Sequence, residues 1–235
     1  MRIKAVLFDL DGTLLPMNQD LFVKAYFKLL APKLGPRGYD AQKLIASLQS
    51  GVAEMVKNQG ACINEDAFWK EFTRIHGQES LADKQMIDEF YSNEFNQARG
   101  VCGFSPASAE VVRMLREKGK TVVLATNPVF PAVATKSRMG WAGLTPEDFT
   151  LVTTYENSRY CKPNLDYYRE ILEKINCEPE ECLMIGNDVG EDMVAKELGM
   201  QVFLLTDCLI NRKEADISRY PHGGFGELKL YLQDI

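Results

Sequence analysis

Asp9 and Asp11 stand two residues apart at the end of an apolar run, in the stretch Phe8-Asp9-Leu10-Asp11-Gly12-Thr13. Two carboxylates so close repel each other unless a cation sits between them or one is protonated, and either arrangement is useful in catalysis. Asp-Gly is also a common turn dipeptide, so the pair taken alone fits a plain turn. Against that reading stand further chemically capable groups downstream: Thr126 with Asn127, then Lys162, then Asn187 and Asp188 with Asp192.

Groups so far apart in the chain need a scaffold to bring them together. Ile3, Ala5, Val6, Leu7 and Phe8 form an almost uninterrupted apolar run with β-branched members, which suits a strand buried on both faces of a parallel sheet; pattern alone also admits a helix. Gly12 then turns the chain. From there the period is helical through about residue 99. One helix is expected over residues 20–30, broken by Pro32, Gly35, Pro36 and Gly38, and a second follows Asp40 as its cap. Asn64 is the expected cap of a third helix ending before Gly77, and a fourth covers about residues 81–98. Short connections predict a small bundle with aromatic stripes as its core, leaving Lys24, Lys28, Lys57, Lys70 and Arg74 on a solvated face.

After Gly100 strand-like and helical stretches alternate, with strands expected over 121–125, 150–153, 182–185 and 202–205. The pattern predicts an α/β protein with a Rossmann-like parallel five-stranded sheet, residues 1–16 and 100–235 forming the core and residues 17–99 an inserted helical unit. Right-handed crossovers place all strand carboxyl ends on one edge, where ligands of open α/β sheets bind. Residues 211–235 read as a loop with a short final helix.

The net charge of −6 and a pI near 5.1 argue against general affinity for nucleic acid or an anionic membrane. No signal-peptide or membrane-spanning pattern is present, so a cytoplasmic protein is expected. The six cysteines include no Cys-x-x-Cys pair and suggest free thiols. His76 and His222, the only histidines, lie far apart and are expected at the surface; they leave little material for a Ser-His-Asp triad.

Asp9-Leu10-Asp11-Gly12-Thr13, Ala125-Thr126-Asn127, Lys162-Pro163 and Gly186-Asn187-Asp188-Val189-Gly190-Glu191-Asp192, in this order, resemble the four motifs of the haloacid dehalogenase superfamily, phosphatase type. The resemblance covers the first strand and about residues 100–205, and the intervening helices are similar to that superfamily's helical cap. It implies a magnesium-dependent phosphatase acting on a small phosphorylated metabolite through an aspartyl-phosphate. On that reading Asp9 is the nucleophile and a metal ligand. Asp11 is the general acid and then the base, and its carbonyl binds the metal. Thr126 and Lys162 contact the phosphate oxygens together with Gly12 and Asn127, and Asp188 completes the Mg2+ shell. Asp192 orients either Lys162 or a metal-bound water. Asn187 departs from the pattern, since many members carry Asp directly after the Gly; it is either a weak ligand or a supporting group. A sugar-phosphate mutase shares the same residues, and an idle binding module on the same fold is a third reading. Asp11 favours ester hydrolysis over halide displacement, because an alkoxide needs a proton to leave and a halide does not. Substrate and oligomeric state stay open.

Overall fold

The structure, a computed structural model, describes residues 2–235. Strands β1 (Ala5–Phe8), β2 (Thr121–Leu124), β3 (Leu151–Val152), β4 (Cys182–Gly186), β5 (Gln201–Leu205) and β6 (His222–Gly223) form one sheet in the order β3-β2-β1-β4-β5-β6. Every pairing is parallel. The residues of β1 are completely buried, and their side chains alternate between two cores. Val6 and Phe8 join one apolar cluster with α5 (Pro106–Glu117), α6 (Ala132–Trp141) and α8 (Phe225–Tyr231). Ala5 and Leu7 join the other with α7 (Leu165–Ile175). This period-two division is what makes an all-apolar run a central strand.

The sheet has six strands where five are expected. The extra one is two residues long and lies in the stretch read as loop. It is created by main-chain bonds from Leu204 N–H to Pro221 O (2.9 Å) and from Thr206 N–H to Gly223 O (2.9 Å), which leave no trace in hydrophobic pattern. The segment after Asp192 winds as a 3-10 helix, Met193–Leu198.

Between β1 and α5 lie α1 (Gln19–Leu34), α2 (Ala41–Lys57), α3 (Asn64–His76) and α4 (Lys84–Ser92). Asn18 caps α1 by accepting from Leu21 N–H at 3.0 Å, and Asp40 caps α2 by accepting from Lys43 N–H at 2.9 Å. Pro32 lies within α1, which continues past it. The expected fourth helix is instead three pieces: 3-10 turns at Gln78–Asp83 and Glu94–Val101 flank α4. It stops at Asn93, whose backbone leaves helical geometry (φ −118°, ψ −87°) and whose amide bonds the Glu89 carbonyl at 2.8 Å. The cap of α3 is Ile63; Asn64 is fully buried and turned elsewhere. His76 is half-buried, its ring 4.6 Å from that of Phe72 and its Nε2 2.7 Å from Ser47 Oγ, whereas His222 is exposed. The named lysines and arginines of this unit are exposed. Phe22, Tyr26, Phe90 and Phe95 pack with Phe130 and Trp141, so one apolar cluster runs from the inserted helices to the face of β1. All six cysteines are free, and no helix of the described residues is long and apolar enough to cross a membrane.

Candidate active site

Beyond β1 the chain stays anchored for one more residue, Asp9 N–H donating to Ile185 O at 2.9 Å. Phe8 is in register with Leu124 of β2 and Ile185 of β4, so the tips of these three strands end at one level. The sheet order reverses at β1 and β4, which puts Asp9 and Asn187-Asp188 on either side of the switch-point crevice.

Asp9 is almost fully buried. Its Oδ1 accepts from Lys162 Nζ at 2.9 Å and its Oδ2 from Thr13 Oγ1 at 3.2 Å. Lys162, 1% exposed, also donates to Asp192 Oδ1 at 2.6 Å. Burial by itself lowers the lysine's pKa, but Asp192 and Asp9 outweigh it and hold the ammonium charged, well above the ordinary lysine range. Burial raises the Asp192 carboxyl above its ordinary value, against the pull of Lys162. Its Oδ2 accepts from Asp188 N–H at 2.9 Å. The Asp192 contact with Lys162 fits the first of its two expected roles.

Asp11 has a partner that sequence reading missed. Arg138 on α6 is 1% exposed and ion-paired with Asp11 Oδ2, while its guanidinium carbon lies 4.4 Å from the Phe130 ring centroid. Burial raises the Asp11 carboxyl above its ordinary value, with Arg138 opposing, and Oδ1 is buried without a hydrogen-bond partner. A signal for Arg138 was present: it shares a helix face with Ala134, Thr135 and Met139, at spacings that put a charge on the buried side of α6.

Asn187, 1% exposed, accepts from Thr13 Oγ1 at 3.0 Å and donates to Cys208 O at 2.7 Å. Its amide therefore ties the first motif to the loop after β5. Gly12 makes this approach possible: its φ is +85°, and a Cβ there would lie 2.3 Å from Asn187 Nδ2. Asp188 Oδ1 accepts from Gly190 N–H (2.7 Å) and Glu191 N–H (3.0 Å), the capping geometry that acidic residues adopt at a turn. Thr126 is buried, its carbonyl held by Thr153 Oγ1 (2.7 Å) and Tyr167 Oη (2.9 Å). Asn127 is placed as a clamp: Nδ2 donates to Glu191 Oε2 at 3.0 Å and Oδ1 accepts from Lys162 N–H at 3.3 Å. Glu191, unassigned from sequence, is pushed up to about 7 by burial.

All the named residues thus converge on one sheet edge, but among the described residues no group of three His, Cys, Asp or Glu side chains is arranged to hold a metal alone. The donor set nevertheless suits magnesium. It offers only hard oxygens, and Mg2+ is commonly held by one or two carboxylates with water and substrate phosphate filling the rest of its shell. The ion pairing points the same way, since three carboxyl groups, Asp9, Asp11 and Asp192, meet only two cations, Lys162 and Arg138. The unpartnered Asp11 Oδ1 is a further acceptor awaiting a proton or a donor.

A curated relative, pyrophosphatase PpaX of Bacillus cereus (strain G9842), is 25% identical over 201 residues, covering 80% of this chain and 76% of its own. Among solved structures, 2-haloacid dehalogenase from Pseudomonas syringae pv. Tomato DC3000 superposes with a TM-score of 0.63 at 21% identity, covering 99% of both chains. A HAD phosphatase from Thermococcus onnurineus gives 0.59 at 20% identity, covering 98% of both. Residues 3–199 match the family model of haloacid dehalogenase-like hydrolases, and with the motif residues gathered at the sheet edge the chain belongs to that family and is a hydrolase.

Proposed function

We propose that this hydrolase is a magnesium-dependent phosphatase that releases phosphate from a small phosphorylated metabolite through an aspartyl-phosphate on Asp9, with residues 17–99 covering the site. The observation that carries this reading is two carboxyl groups side by side after β1, each fixed by its own buried cation, Asp9 by Lys162 and Asp11 by Arg138. Burial raises the Asp11 carboxyl above its ordinary value with Arg138 opposing, the direction a proton donor needs.

In the first step an Asp9 oxygen attacks phosphorus, the bond from phosphorus to the ester oxygen breaks, and Asp11 gives its proton to the departing alkoxide. Arg138 then faces the Asp11 carboxylate so formed. In the second step a water attacks the phosphorus of the aspartyl-phosphate, Asp11 takes the water's proton, and the bond to Asp9 breaks. Lys162 and the Thr126 hydroxyl are the donors assigned to the phosphate oxygens. Asp9, Asp188 and the Asp11 main-chain carbonyl would hold the magnesium ion, whose charge would neutralise those oxygens. Asn187, Asn127 and Asp192 position these groups rather than react.

Acid-quench trapping of phosphoenzyme from labelled acetyl phosphate tests the assignment. Wild-type protein with magnesium should accumulate label on Asp9, and Asp9→Asn, checked for folding by circular dichroism, should accumulate none. Turnover by Asp9→Asn above about a hundredth of wild type would remove Asp9 from the nucleophile role. Full activity after exhaustive chelation would remove the metal.

A further inference from the structure

Adjoining the loop that carries Thr126 and Asn127 is a cavity of about 290 Å³ between the inserted helices and the core. Leu48, Val52, Phe68 and Trp69 form its helical side, and Phe130 and Tyr155 belong to its core side. The core wall is tied to the active site by contact: Phe130 stacks on Arg138, and Arg138 pairs with Asp11. The helical side is tied there too, because Asn64 at the start of α3 donates to Pro128 O at 3.3 Å, immediately after Asn127.

The lining is uncharged: beside its apolar side chains it carries the amides of Gln19 and Gln49 and the hydroxyls of Tyr26, Tyr91 and Tyr155. No lysine, arginine, histidine or carboxylate lines the cavity among the described residues. Two of its hydroxyls, Tyr26 and Tyr91, share one hydrogen bond at 2.8 Å. Trp69 is 7% exposed, and its Nε1–H makes no well-formed hydrogen bond although the Tyr155 hydroxyl lies close enough to interact with it. Buried donors normally find acceptors, so an unpaired N–H in the wall of a cavity marks a place for a ligand atom. A second phosphate or a carboxylate would enter this space with no charge to meet it.

We infer that the cavity receives the leaving group of the substrate, and that the substrate class is a phosphomonoester of a predominantly apolar alcohol, alkyl or aromatic, carrying one hydrogen-bond acceptor for Trp69. The inference rests on the phosphatase reading above. It excludes pyrophosphate, sugar bisphosphates and phosphorylated carboxylic acids as preferred substrates. The volume, near the lower end of the roughly 300–1,000 Å³ usual for ligand sites, suits a single ring or a short chain.

A homologous series of n-alkyl phosphates from ethyl to hexyl tests this, because the alcohols differ little in acidity and so separate apolar burial from chemistry. Acetyl phosphate serves as the reference for the phosphate site alone. Expected is a rise in kcat/KM of about fourfold per added methylene until the cavity is full, with butyl phosphate well above glycerol 3-phosphate and pyrophosphate. Val52→Trp, which fills the space, should flatten the series while leaving acetyl phosphate turnover within about twofold. Trp69→Phe provides a second variant: replacing successive methylenes of hexyl phosphate by an ether oxygen should reveal one position favoured by wild type about 2–10-fold over this variant. Turnover of acetyl phosphate with a flat alkyl series, or with pyrophosphate or a bisphosphate preferred, would overturn the inference and leave the phosphatase reading standing. If acetyl phosphate itself is not hydrolysed, the phosphatase reading falls. Calorimetric titration with 2-phenylethanol then decides the cavity separately: saturable binding lost in Val52→Trp supports an apolar ligand site, and no binding overturns it.

Discussion

Replacing Arg138 by Met keeps an unbranched apolar stem, shortens the side chain and removes its charge, leaving the half-buried Asp11 with one oxygen already unpartnered and the other newly so. Two routes are open to the folded protein. Keeping Asp11 ionised without its partner costs about 3–5 kcal/mol, the usual penalty for breaking a buried pair from one side. Protonating it instead costs the work of holding a proton on a group whose unfolded pKa is about 3.9, which is about 4 kcal/mol at pH 7 and about 1.5 kcal/mol at pH 5. The cheaper route sets the limit, so the destabilisation should be at most about 4 kcal/mol at pH 7 and should shrink by about 2–3 kcal/mol at pH 5. The sign follows from linkage. In the variant the folded state holds more protons than the unfolded one between the unfolded value and the raised folded value, so stability falls as pH rises through that window. Urea unfolding at both pH values, with chelator present, measures it. Adding Asp11→Asn to Arg138→Met should remove the added pH dependence, because the carboxyl that gives rise to it is gone. A loss equal at pH 5 and pH 7, or a double variant whose effects simply add, would refute the pairing as the cause.

Three further outcomes are expected. Gly12→Ala should lose about 2–5 kcal/mol by thermal or urea unfolding, because φ +85° is unfavourable for alanine and the new Cβ, 2.3 Å from Asn187 Nδ2, drives a buried amide off its partners; a loss below about 1 kcal/mol would show that the loop relaxes freely. Asp11→Asn should slow phosphoenzyme formation from an alkyl phosphate by several powers of ten, and from an aryl phosphate with an acidic phenol much less, in stopped-flow or quench experiments; equal losses would mean that Asp11 acts through positioning. Burial lowers the pKa of His76 below 6.5, so its contribution to stability is complete above pH 6.5 and is lost as pH falls through the depressed folded value. His76→Gln should therefore flatten the acid limb of the unfolding profile, and an unchanged limb would show that other groups set it.

The residues that meet at this sheet edge were legible largely because their signals are local. Asp9, Asp11 and Gly12 follow one apolar run, Thr126 another, and Asp188 a third; a parallel sheet with short turns leaves the residues after its strands on a single edge. Buried strands and capped helices such as those begun by Asn18 and Asp40 depend on neighbours in sequence, and for that reason they announce themselves. Three features depend on residues distant in the chain, and there the pattern was silent or misleading. Asn64 has the composition of a helix cap, but its amide lies within reach of Pro128 O, Tyr160 O and Cys161 Sγ, because α3 docks on those loops and a buried amide takes whichever acceptors surround it. Asn187 was open between a weak metal ligand and a supporting group, and only the fold shows its amide bonded to Thr13 and Cys208. Arg138 was one charge among many in a helix, and only the packing of α6 against Asp11 makes it a buried partner. The two-residue β6 and the cavity beside Phe130 belong to the same class. A strand that short is defined by the edge it pairs with, and a cavity by the surfaces that fail to meet, so neither exists until the inserted helices and the sheet are brought together.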